Sequence, residues 1–373
     1  IQGLALALFE YRRAHAYGEF VDLHAQQLRR REVAELVYRY EYAEKDYCED
    51  IRRRLSDVPA GRCLAIRCPL SRNEIVQTFE DQRLPSDTRL KTITYELYPG
   101  IEISYNYFVG DKFHFHHHHR LSVLAIDHCC RGRIGWEMGD GLSLYFGEGD
   151  LSFHMNTQCA ESEITLPHGY YEGLSLALDI DELEKNQPEI IREAGIDIRE
   201  LCRKFCGTEK SAALPASSHI EHIFSEVYDL PEKMLLPYLK LKCQELLLFL
   251  EMTEPAEAKP FDPYHSGQAE IIRRIHSQMT ENLSCRYTIE ELSRQYLINT
   301  AALKNIFKSV YGLPIASYMK HYRIRRAADM LRESSMSISS IAAAVGYESQ
   351  SKFTAAFKDI MKTLPSDYRK QYG

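Results

Sequence analysis

Hydrophobic and polar positions divide the chain into three stretches with different periods. Up to about residue 58, apolar residues such as Val33, Leu36 and Tyr40 recur every three or four positions, which predicts an amphipathic helical region. Between about residues 92 and 180, short alternating segments separated by turns predict antiparallel strands. From about residue 189 the helical period returns. The pattern therefore predicts a multidomain protein of α and β structure.

The strand-rich stretch is typical of an antiparallel barrel or sandwich, because its segments are short and many. Turn residues such as Pro99-Gly100 and Gly147–Asp150 stand between the segments. The predicted strands are Thr92–Tyr98, Ile101–Phe108, Leu121–Ile126, Arg133–Met138, Leu142–Phe146 and Leu174–Leu178.

Three helices are predicted to follow, at Glu189–Phe205, His219–Tyr228 and Leu235–Met252. The last helix carries a regular series of apolar residues at Leu239, Cys243, Leu246 and Leu250. This spacing suits either the core of its own domain or a dimer seam, and both interpretations stay open. Residues 253–264, with their Pro, Glu and Ala, have the composition of a linker.

The composition is that of a globular protein with room for two or three domains, since the 373 residues are 45% hydrophobic and 27% charged. No apolar run approaches the roughly 18 residues of a membrane-spanning helix, and no signal peptide opens the chain. The ten Cys residues form no repeated CxxC pairs, which favours a reducing compartment. We therefore expect a cytoplasmic protein that does not bind membranes. Because the chain starts at Ile1 within a predicted helix, we also expect a fragment.

Charge is distributed unevenly along the chain, whose formal net charge is −7. Residues 271–373 contain 16 Lys and Arg against 8 Asp and Glu, whereas the preceding residues contain the other 30 and 45. A basic final quarter on an acidic body is typical of a polyanion-binding module joined to a domain that does not bind polyanions. A solvated basic helical surface is the alternative interpretation.

The basic quarter contains an internal repeat. The segment Ile289–Ser293 is echoed by Ile338–Ala342 at an offset of 49 residues. Phe307-Lys308 is echoed by Phe357-Lys358 at an offset of 50 residues. Two copies of one helical unit are therefore predicted.

Each copy has the pattern of two helices joined by a tight turn. In the first copy, Thr288 begins a capping box with Glu291, and Leu297–Asn299 forms the turn. In the second copy, Ser337 is the predicted N-cap and Gly346 supplies the turn. The second helix of each copy keeps one face polar, which is typical of a helix-turn-helix motif whose second helix enters the major groove.

One helix is predicted between the two copies, at Ile315–Arg332. Its basic residues are His321, Arg323, Arg325, Arg326 and Arg332. Its length is about 27 Å at 1.5 Å per residue. A rod of that length would hold the two recognition helices about one DNA turn apart, near 34 Å.

Four motifs in this region carry a family resemblance. They are the segments Ile324–Leu331, Ile338–Ser349, Phe353–Lys358 and Pro365–Arg369. They resemble the AraC/XylS family of bacterial transcription regulators, and the resemblance spans about residues 268–370. It implies an all-α domain with two helix-turn-helix motifs that binds double-stranded promoter DNA and, as an activator, helps to recruit RNA polymerase.

The candidate DNA contacts are the outward positions of the two recognition helices. In the first helix they are Thr300, Ala301, Lys304, Asn305 and Lys308. In the second they are Ser349, Gln350, Ser351, Lys352, Thr354, Ala355 and Lys358, and Arg323 of the connecting helix is added. An Asn can bond adenine through two hydrogen bonds, and a Lys can reach guanine or a phosphate.

Three positions depart from the family's pattern. Ala355 stands where many members carry Arg, so the resemblance implies that the second helix specifies bases weakly. Lys362 replaces a frequent Gly, and the first turn lacks a Gly altogether. We expect Asn299 to adopt the unusual backbone geometry of that turn.

The family commonly carries a ligand-binding or dimerising domain, often a cupin-like barrel, before its DNA-binding end. The resemblance thus implies a small-molecule effector of unknown identity and a homodimer. The predicted organisation is an amphipathic helical region at residues 1–58, an antiparallel cupin-like β-barrel sensor at 59–185, a helical dimerisation or support region at 186–252, a linker at 253–264, and the DNA-binding domain at 265–373.

The run His114–His119 is a candidate metal site. On a strand, His114, His116 and His118 would share one face, and imidazole binds first-row metals well. No Glu follows within four residues, and the later His residues stand at the wrong spacing for a metal-cupin motif. We therefore predict no metal and no cofactor. We interpret Cys129-Cys130 and Cys202-x-x-x-Cys206 as core residues rather than a redox pair, because free Cys is commonly buried.

The sequence predicts a cytoplasmic, DNA-binding transcription regulator that is controlled by a small ligand and is not an enzyme. An alternative is a metal-dependent cupin enzyme fused to a DNA-binding tail. In a third interpretation, residues 1–58 are the remnant of a second regulator domain.

Overall fold

In a computed structural model, the described residues are 55, 62–67, 88–116, 122–137, 141–155, 161–207, 211–254, 259–260 and 264–372. They belong to two compact units. The sheet unit comprises the described residues up to 274 together with 298–314, and the helical unit comprises residues 275–297 and 315–372. The helical region predicted for residues 1–58 lies outside the described residues, apart from Leu55.

Short strands make up most of the sheet unit. They are β1 (Arg62–Arg67), β2 (Arg89–Tyr98), β3 (Ile101–Val109), β4 (Lys112–His116), β5 (Val123–Glu137), β6 (Leu142–Gly147), β7 (Leu151–Met155), β8 (Glu161–Thr165), β9 (Tyr170–Asp179), β10 (Ser211–Leu214), β11 (Lys259–Pro260) and β12 (Tyr264–His265). The pair β1–β2 is parallel, and the other pairs among the described strands are antiparallel.

The described strands form an open sheet. Its main path runs β1-β2-β3-β9-β5-β7-β10-β11, and β4, β6, β8 and β12 attach away from this path. The first part of β5 pairs with β7 and β9, and its second part pairs with β6 and β8. The predicted antiparallel, strand-rich region is therefore confirmed. The cupin-like barrel is not, because the sheet does not close in the part of the chain that the structure describes.

Strand β5 replaces two predicted strands, Leu121–Ile126 and Arg133–Met138. Its register shifts between Cys129 and Arg131, which marks a bulge. Gly132 follows with φ 83°, and a Cβ there would lie 2.3 Å from the Tyr170 carbonyl oxygen. The bulge lets one strand bend from one group of partners to the other.

The helices are α1 (Ile180–Lys185), α2 (Glu189–Glu193), α3 (Ile198–Cys206), α4 (Ser218–Phe224), α5 (Glu232–Met252), α6 (Ser266–Glu281), α7 (Ile289–Gln295), α8 (Thr300–Tyr311), α9 (Ile315–Glu333), α10 (Ile338–Ala344), α11 (Gln350–Met361) and α12 (Pro365–Tyr372). The helix predicted at Glu189–Phe205 is divided into α2 and α3, since Gly195 has φ 70° and Asp197 caps the N terminus of α3. None of the described helices is long and apolar enough to cross a membrane.

Helix α5 packs against the sheet through its regular apolar residues. Leu239, Cys243 and Leu246 are buried, and with sheet residues such as Ile103 and Ile126 they line a cavity of about 20 Å³. That space holds about one water molecule. Burial raises the pKa of the Cys243 thiol to about 12. Of the two interpretations of this helix face, the structure therefore favours the core of its own domain.

The helical unit has its own apolar core. Ile324 of α9, Ile341 of α10, and Phe353 and Phe357 of α11 are all fully buried within it. Tyr368 of α12 closes the cluster with its ring 5.5 Å from that of Phe357. The second predicted helix-turn-helix is thus a packed structure in which each apolar stripe faces inward.

Candidate nucleic-acid interface

Local capping chemistry sets the start of the first motif. At the N terminus of α7, Thr288 Oγ1 accepts a hydrogen bond from the Glu291 amide at 3.1 Å, and Glu291 Oε2 accepts one from the Thr288 amide at 2.8 Å. This is the predicted capping box. Helix α8 begins after Asn299, whose Oδ1 accepts from the Ala302 amide at 2.7 Å.

The turn between α7 and α8 differs from the expectation. Leu297, not Asn299, has a left-handed backbone, with φ 53°, and its side chain is 94% exposed. Asn299 has φ −67° and acts as the N-cap of α8, because its short amide side chain reaches the backbone of the first turn. In the second motif the equivalent position, 49 residues later, is Gly346 with φ 81°.

Helix α8 separates an apolar face from a polar one. Its buried residues are Leu303, Ile306, Phe307, Val310 and Tyr311. The predicted contacts Ala301, Lys304, Asn305 and Lys308 are exposed, and Thr300 is partly exposed. The polar face of α8 is therefore open to solvent along its length.

The second motif repeats the architecture with different caps. Ser337 Oγ accepts from the Ser340 amide at 3.0 Å and begins α10, as predicted. Ser349 Oγ accepts from the Lys352 amide at 3.3 Å and begins α11. Between them, a Cβ on Gly346 would lie 2.1 Å from the Leu283 carbonyl oxygen, so the turn has room only for glycine.

Helix α11 also exposes its predicted contacts. Gln350, Ser351, Lys352, Ala355 and Lys358 are exposed, and Thr354 is partly exposed. Ser349 is exposed as well, but its hydroxyl serves the helix cap. Lys352 forms an ion pair with Glu348 at 2.7 Å, and this pairing lowers the pKa of that carboxyl.

Arg323 occupies a different environment from the other predicted contacts. It is half-buried, and its Nη2 donates to the Cys285 carbonyl oxygen at 3.2 Å. Burial lowers the pKa of its guanidinium. On the same helix, α9, Arg325 and Arg326 are exposed.

Helix α9 spans 19 residues, one more than predicted, and is about 28 Å long. The expectation of a continuous rod between the two motifs is confirmed. A separation of about one DNA turn between the two recognition helices remains a prediction.

The structure describes only part of the histidine run that was predicted to share one strand face. His114 is exposed on β4, and its Nε2 lies 3.8 Å from Glu163 Oε2. His116 lies on the same strand, whereas His118 lies outside the described residues. Among the described residues, no group of three or more His, Cys, Asp and Glu side chains is arranged to hold a metal ion.

Burial also characterises the cysteines of α3. It raises the pKa of Cys202 to about 11 and that of Cys206 to about 12. Both thiols are therefore protonated at neutral pH, the opposite of what a reactive thiolate needs.

Sequence reasoning missed a line of hydrogen-bonded side chains across the sheet, which we call the polar row. Its members are Thr92, Asn106, Ser175, Asp127, Ser152 and His154. Asp127 is central, since it accepts from Ser175 Oγ at 2.5 Å and lies 3.2 Å from His154 Nδ1. The one available signal is that the Asp127 carboxylate directly follows the apolar run Val123–Ile126, and Asp127 is only 3% exposed.

Comparison with known proteins places the carboxyl-terminal part. A family model described as a helix-turn-helix domain matches residues 292–371. The transcriptional activator RhaR of Mannheimia succiniciproducens is 24% identical over 128 residues, which is 34% of this chain and 45% of that protein. The transcriptional regulator AlkR of Acinetobacter baylyi is 26% identical over 179 residues, covering 43% of this chain and 57% of that protein. The chain thus spans about half the length of the curated relatives it matches.

A solved structure is also similar to part of this chain. The transcriptional regulator of Chromobacterium violaceum, with an AraC-type DNA-binding domain, is 22% identical, covers 29% of this chain and 96% of that chain, and has a TM-score of 0.27. The family match, the named relatives and the caps of both motifs agree with the resemblance seen in the sequence. The carboxyl-terminal part of this chain is an AraC-type helix-turn-helix domain.

Proposed function

We propose that this chain is a sequence-specific DNA-binding transcription regulator. The observation that carries the proposal is the pair of recognition helices, α8 and α11. Each buries an apolar face and exposes small polar and lysine side chains along the other. Asn305 of α8 suits adenine, while Lys304 and Lys352 suit guanine or phosphate.

A DNA selection on the full chain tests this proposal. The wild type is compared with Asn305→Ala and Lys352→Ala at fixed salt, because phosphate contacts depend strongly on ionic strength. We expect a bipartite site to be enriched, with half-sites about one helical turn apart. Asn305→Ala should relax the preference in one half-site only. Binding without any enriched sequence would contradict the proposal.

A small ligand in the sheet unit is proposed to control this activity, and the polar row supports that part. The hydrogen bonds within the polar row offset the cost of burying its groups, and a connected line of buried polar groups is a candidate site for a polar ligand. Its carboxylate, amide and hydroxyl groups suit a small polar effector that can both donate and accept hydrogen bonds. The cupin-like description of this domain remains part of the proposal.

The effector site can be tested by the thermal stability of the full chain in the presence of small polar metabolites. A compound that raises the unfolding temperature of the wild type but not that of Asp127→Asn would support the polar row as the site. Glu189→Gln, which removes an exposed carboxylate, is the matched control. A compound that stabilises all three proteins equally would place the effector elsewhere.

We further propose that the chain acts as a homodimer through α5. Met234, Leu241, Leu248 and Met252 form one exposed apolar stripe with spacings of seven, seven and four residues, and Met252 is 77% exposed. Lys233 lies near the start of this helix and Glu251 near its end, and both are exposed. Antiparallel pairing about a two-fold axis would therefore bring Lys233 close to the partner subunit's Glu251.

Sedimentation velocity tests the dimer. Leu241→Glu places a charge in the middle of the stripe, where the side chain is 58% exposed, so folding should be unaffected. We expect it to sediment as a monomer. Met336→Glu, at another exposed apolar residue, should remain dimeric. Equal sedimentation of the wild type and Leu241→Glu would exclude this surface.

The remaining parts of the proposal are recruitment of RNA polymerase at promoter DNA, action in the bacterial cytoplasm and the lack of an enzymatic activity. Transcription in vitro from the selected site, with and without the chain, tests the first. Metal analysis after chelation and reloading tests the cupin-enzyme alternative, which predicts stoichiometric iron or zinc.

A further inference from the structure

The carboxyl end of the first recognition helix is capped by side chains of strand β5 and of the turn between β8 and β9. The last carbonyl groups of an α-helix have no partner within the helix. Arg133 Nε of β5 donates to the Ser309 and Val310 carbonyl oxygens of α8, each at 2.9 Å, and Arg133 Nη2 also donates to that of Ser309. His168 Nε2 lies 3.3 Å from the Tyr311 carbonyl oxygen. Arg133 of β5 and His168 of the turn between β8 and β9 thus contact the last three carbonyl groups of α8.

The sheet is built to hold the Arg133 guanidinium in this place. Arg133 pairs with Gly147 of β6, and a Cβ on Gly147 would lie 2.2 Å from Arg133 Nη1. The absence of a side chain at Gly147 therefore leaves the space that the guanidinium fills. Burial lowers the pKa of Arg133, and the Asp150 carboxylate offsets part of that effect, so the cation is retained.

The hairpin of β5 and β6 also holds the chain that leads into the DNA-binding domain. Strand β12 pairs with β6 at Ser143 and Leu142. In the first turns of α6, Arg273 Nη1 donates to the Tyr145 hydroxyl of β6 at 3.0 Å. Three separate contacts thus converge on one hairpin of the sheet unit.

The second recognition helix ends differently. Helix α11 stops at Lys362, which has φ 52° and whose Nζ donates to the Asp359 carbonyl oxygen. Both residues belong to the helical unit. The contacts described at the end of α11 are therefore local, whereas those at the end of α8 include a side chain 176 residues away in sequence.

We infer that Arg133 is a positioning residue for DNA recognition, which fixes the first recognition helix to the β5–β6 hairpin while leaving its DNA-reading face open. Lys304, Asn305 and Lys308 remain exposed in this arrangement, so the contact orients α8 rather than covering it. The positive guanidinium also interacts favourably with the partial negative charge at the carboxyl end of the helix dipole. The inference rests on the proposed function. Through this contact, the sheet would influence DNA binding at the half-site that α8 reads and not at the other half-site.

Two variants remove the contact in independent ways. Arg133→Met removes the guanidinium. Gly147→Ala keeps every charge, but its new Cβ displaces Nη1 from its place. Arg133→Lys retains a cation that can reach one carbonyl, so it should rescue part of the effect. Arg192→Met, which removes an exposed Arg with the same charge change, is the control.

The assay is the affinity of the full chain for its selected bipartite DNA and for two duplexes in which one half-site is scrambled. The Asn305→Ala variant identifies the half-site that α8 reads. We expect Arg133→Met and Gly147→Ala to bind the intact site about tenfold more weakly, the scale of hydrogen bonds to a charged group. Scrambling the α8 half-site should then weaken binding by these variants only slightly further. Scrambling the α11 half-site should weaken their binding as much as it weakens binding by the wild type.

The inference would be overturned if scrambling each half-site weakened DNA binding by Gly147→Ala as much as it weakens binding by the wild type. A loss that affects both half-sites equally would overturn it too, because it would indicate a general effect on the fold. Wild-type protein that enriches no sequence would instead refute the proposed function itself, so the two failures are distinguishable.

Discussion

Replacing Gly346 by Ala should selectively destabilise the second helix-turn-helix. Gly346 has φ 81°, and a left-handed backbone costs a residue with a Cβ about 1–2 kcal/mol. The new Cβ would also lie 2.1 Å from the Leu283 carbonyl oxygen, which is backbone and cannot rotate away. Overpacking of this kind costs about 1–3 kcal/mol. We therefore expect a loss of about 2–5 kcal/mol in the free energy of unfolding.

Leu297→Gly is the matched change at the equivalent position of the first motif, with the opposite sign. Leu297 already has a left-handed backbone, and its side chain is 94% exposed, so little packing is lost. Removing the Cβ relieves backbone strain of about 1–2 kcal/mol. Glycine also gives the unfolded chain more conformational entropy, which offsets about 0.4–1 kcal/mol of this gain. We expect a net stabilisation of up to about 1.6 kcal/mol.

Hydrogen exchange of the full chain, followed by mass spectrometry, separates the two motifs. Gly346→Ala should speed exchange in peptides from α10 and α11, and Leu297→Gly should slow it in those from α7 and α8. Urea unfolding of the same proteins gives the free energies. Unchanged exchange in α10 and α11 for Gly346→Ala would show that the turn has room for a Cβ at this position, and destabilisation by Leu297→Gly would show that the left-handed backbone at Leu297 is not strained.

Three further changes have predictable effects on stability. Thr288→Ala removes the capping box of α7 and should lower the free energy of unfolding by about 1 kcal/mol, whereas Thr288→Ser should retain most of it; equal urea midpoints for the wild type and Thr288→Ala would contradict this. Lys362→Gly relieves a left-handed backbone and should raise the urea midpoint, and a lower midpoint would show that the contact of Lys362 with the Asp359 carbonyl matters more. Burial lowers the pKa of His128 to about 3 and that of His276 to about 4, so the unfolded chain binds these protons below pH 6.5 while the folded chain does not. The free energy of unfolding should therefore fall from pH 6.5 to pH 4, and a double His→Gln variant that kept the same slope would exclude this cause.

The helical unit could be predicted closely because its signals are local. The caps at Thr288 and Ser337 lie within three residues of their partners, and the ends of α9 follow from a continuous apolar stripe. Left-handed geometry was assigned to Asn299 by residue preference, but the fold places it at Leu297. The side chain of Leu297 is exposed, and Asn299 is needed as the N-cap of α8.

The side-chain contacts of the sheet unit could not be predicted, because the residues that form them are distant in sequence. Asp127 bonds to Ser152 and Ser175, which are 25 and 48 residues away. A polar residue in such a strand has no local signal that distinguishes a loop from a buried network. The same holds for Arg133, whose partner Ser309 lies 176 residues away. The strands themselves were predictable from alternation, whereas the course of β5 through its bulge was not.

We propose that the two helix-turn-helix motifs of one chain bind two successive major grooves. A hydroxyl-radical footprint of the full chain on its selected site tests this most directly. We expect two protected patches about 10 base pairs apart on one face of the duplex. We further expect that Asn305→Ala weakens one patch and Lys352→Ala the other. A single patch that both variants weaken together, or protection independent of sequence, would contradict this proposal.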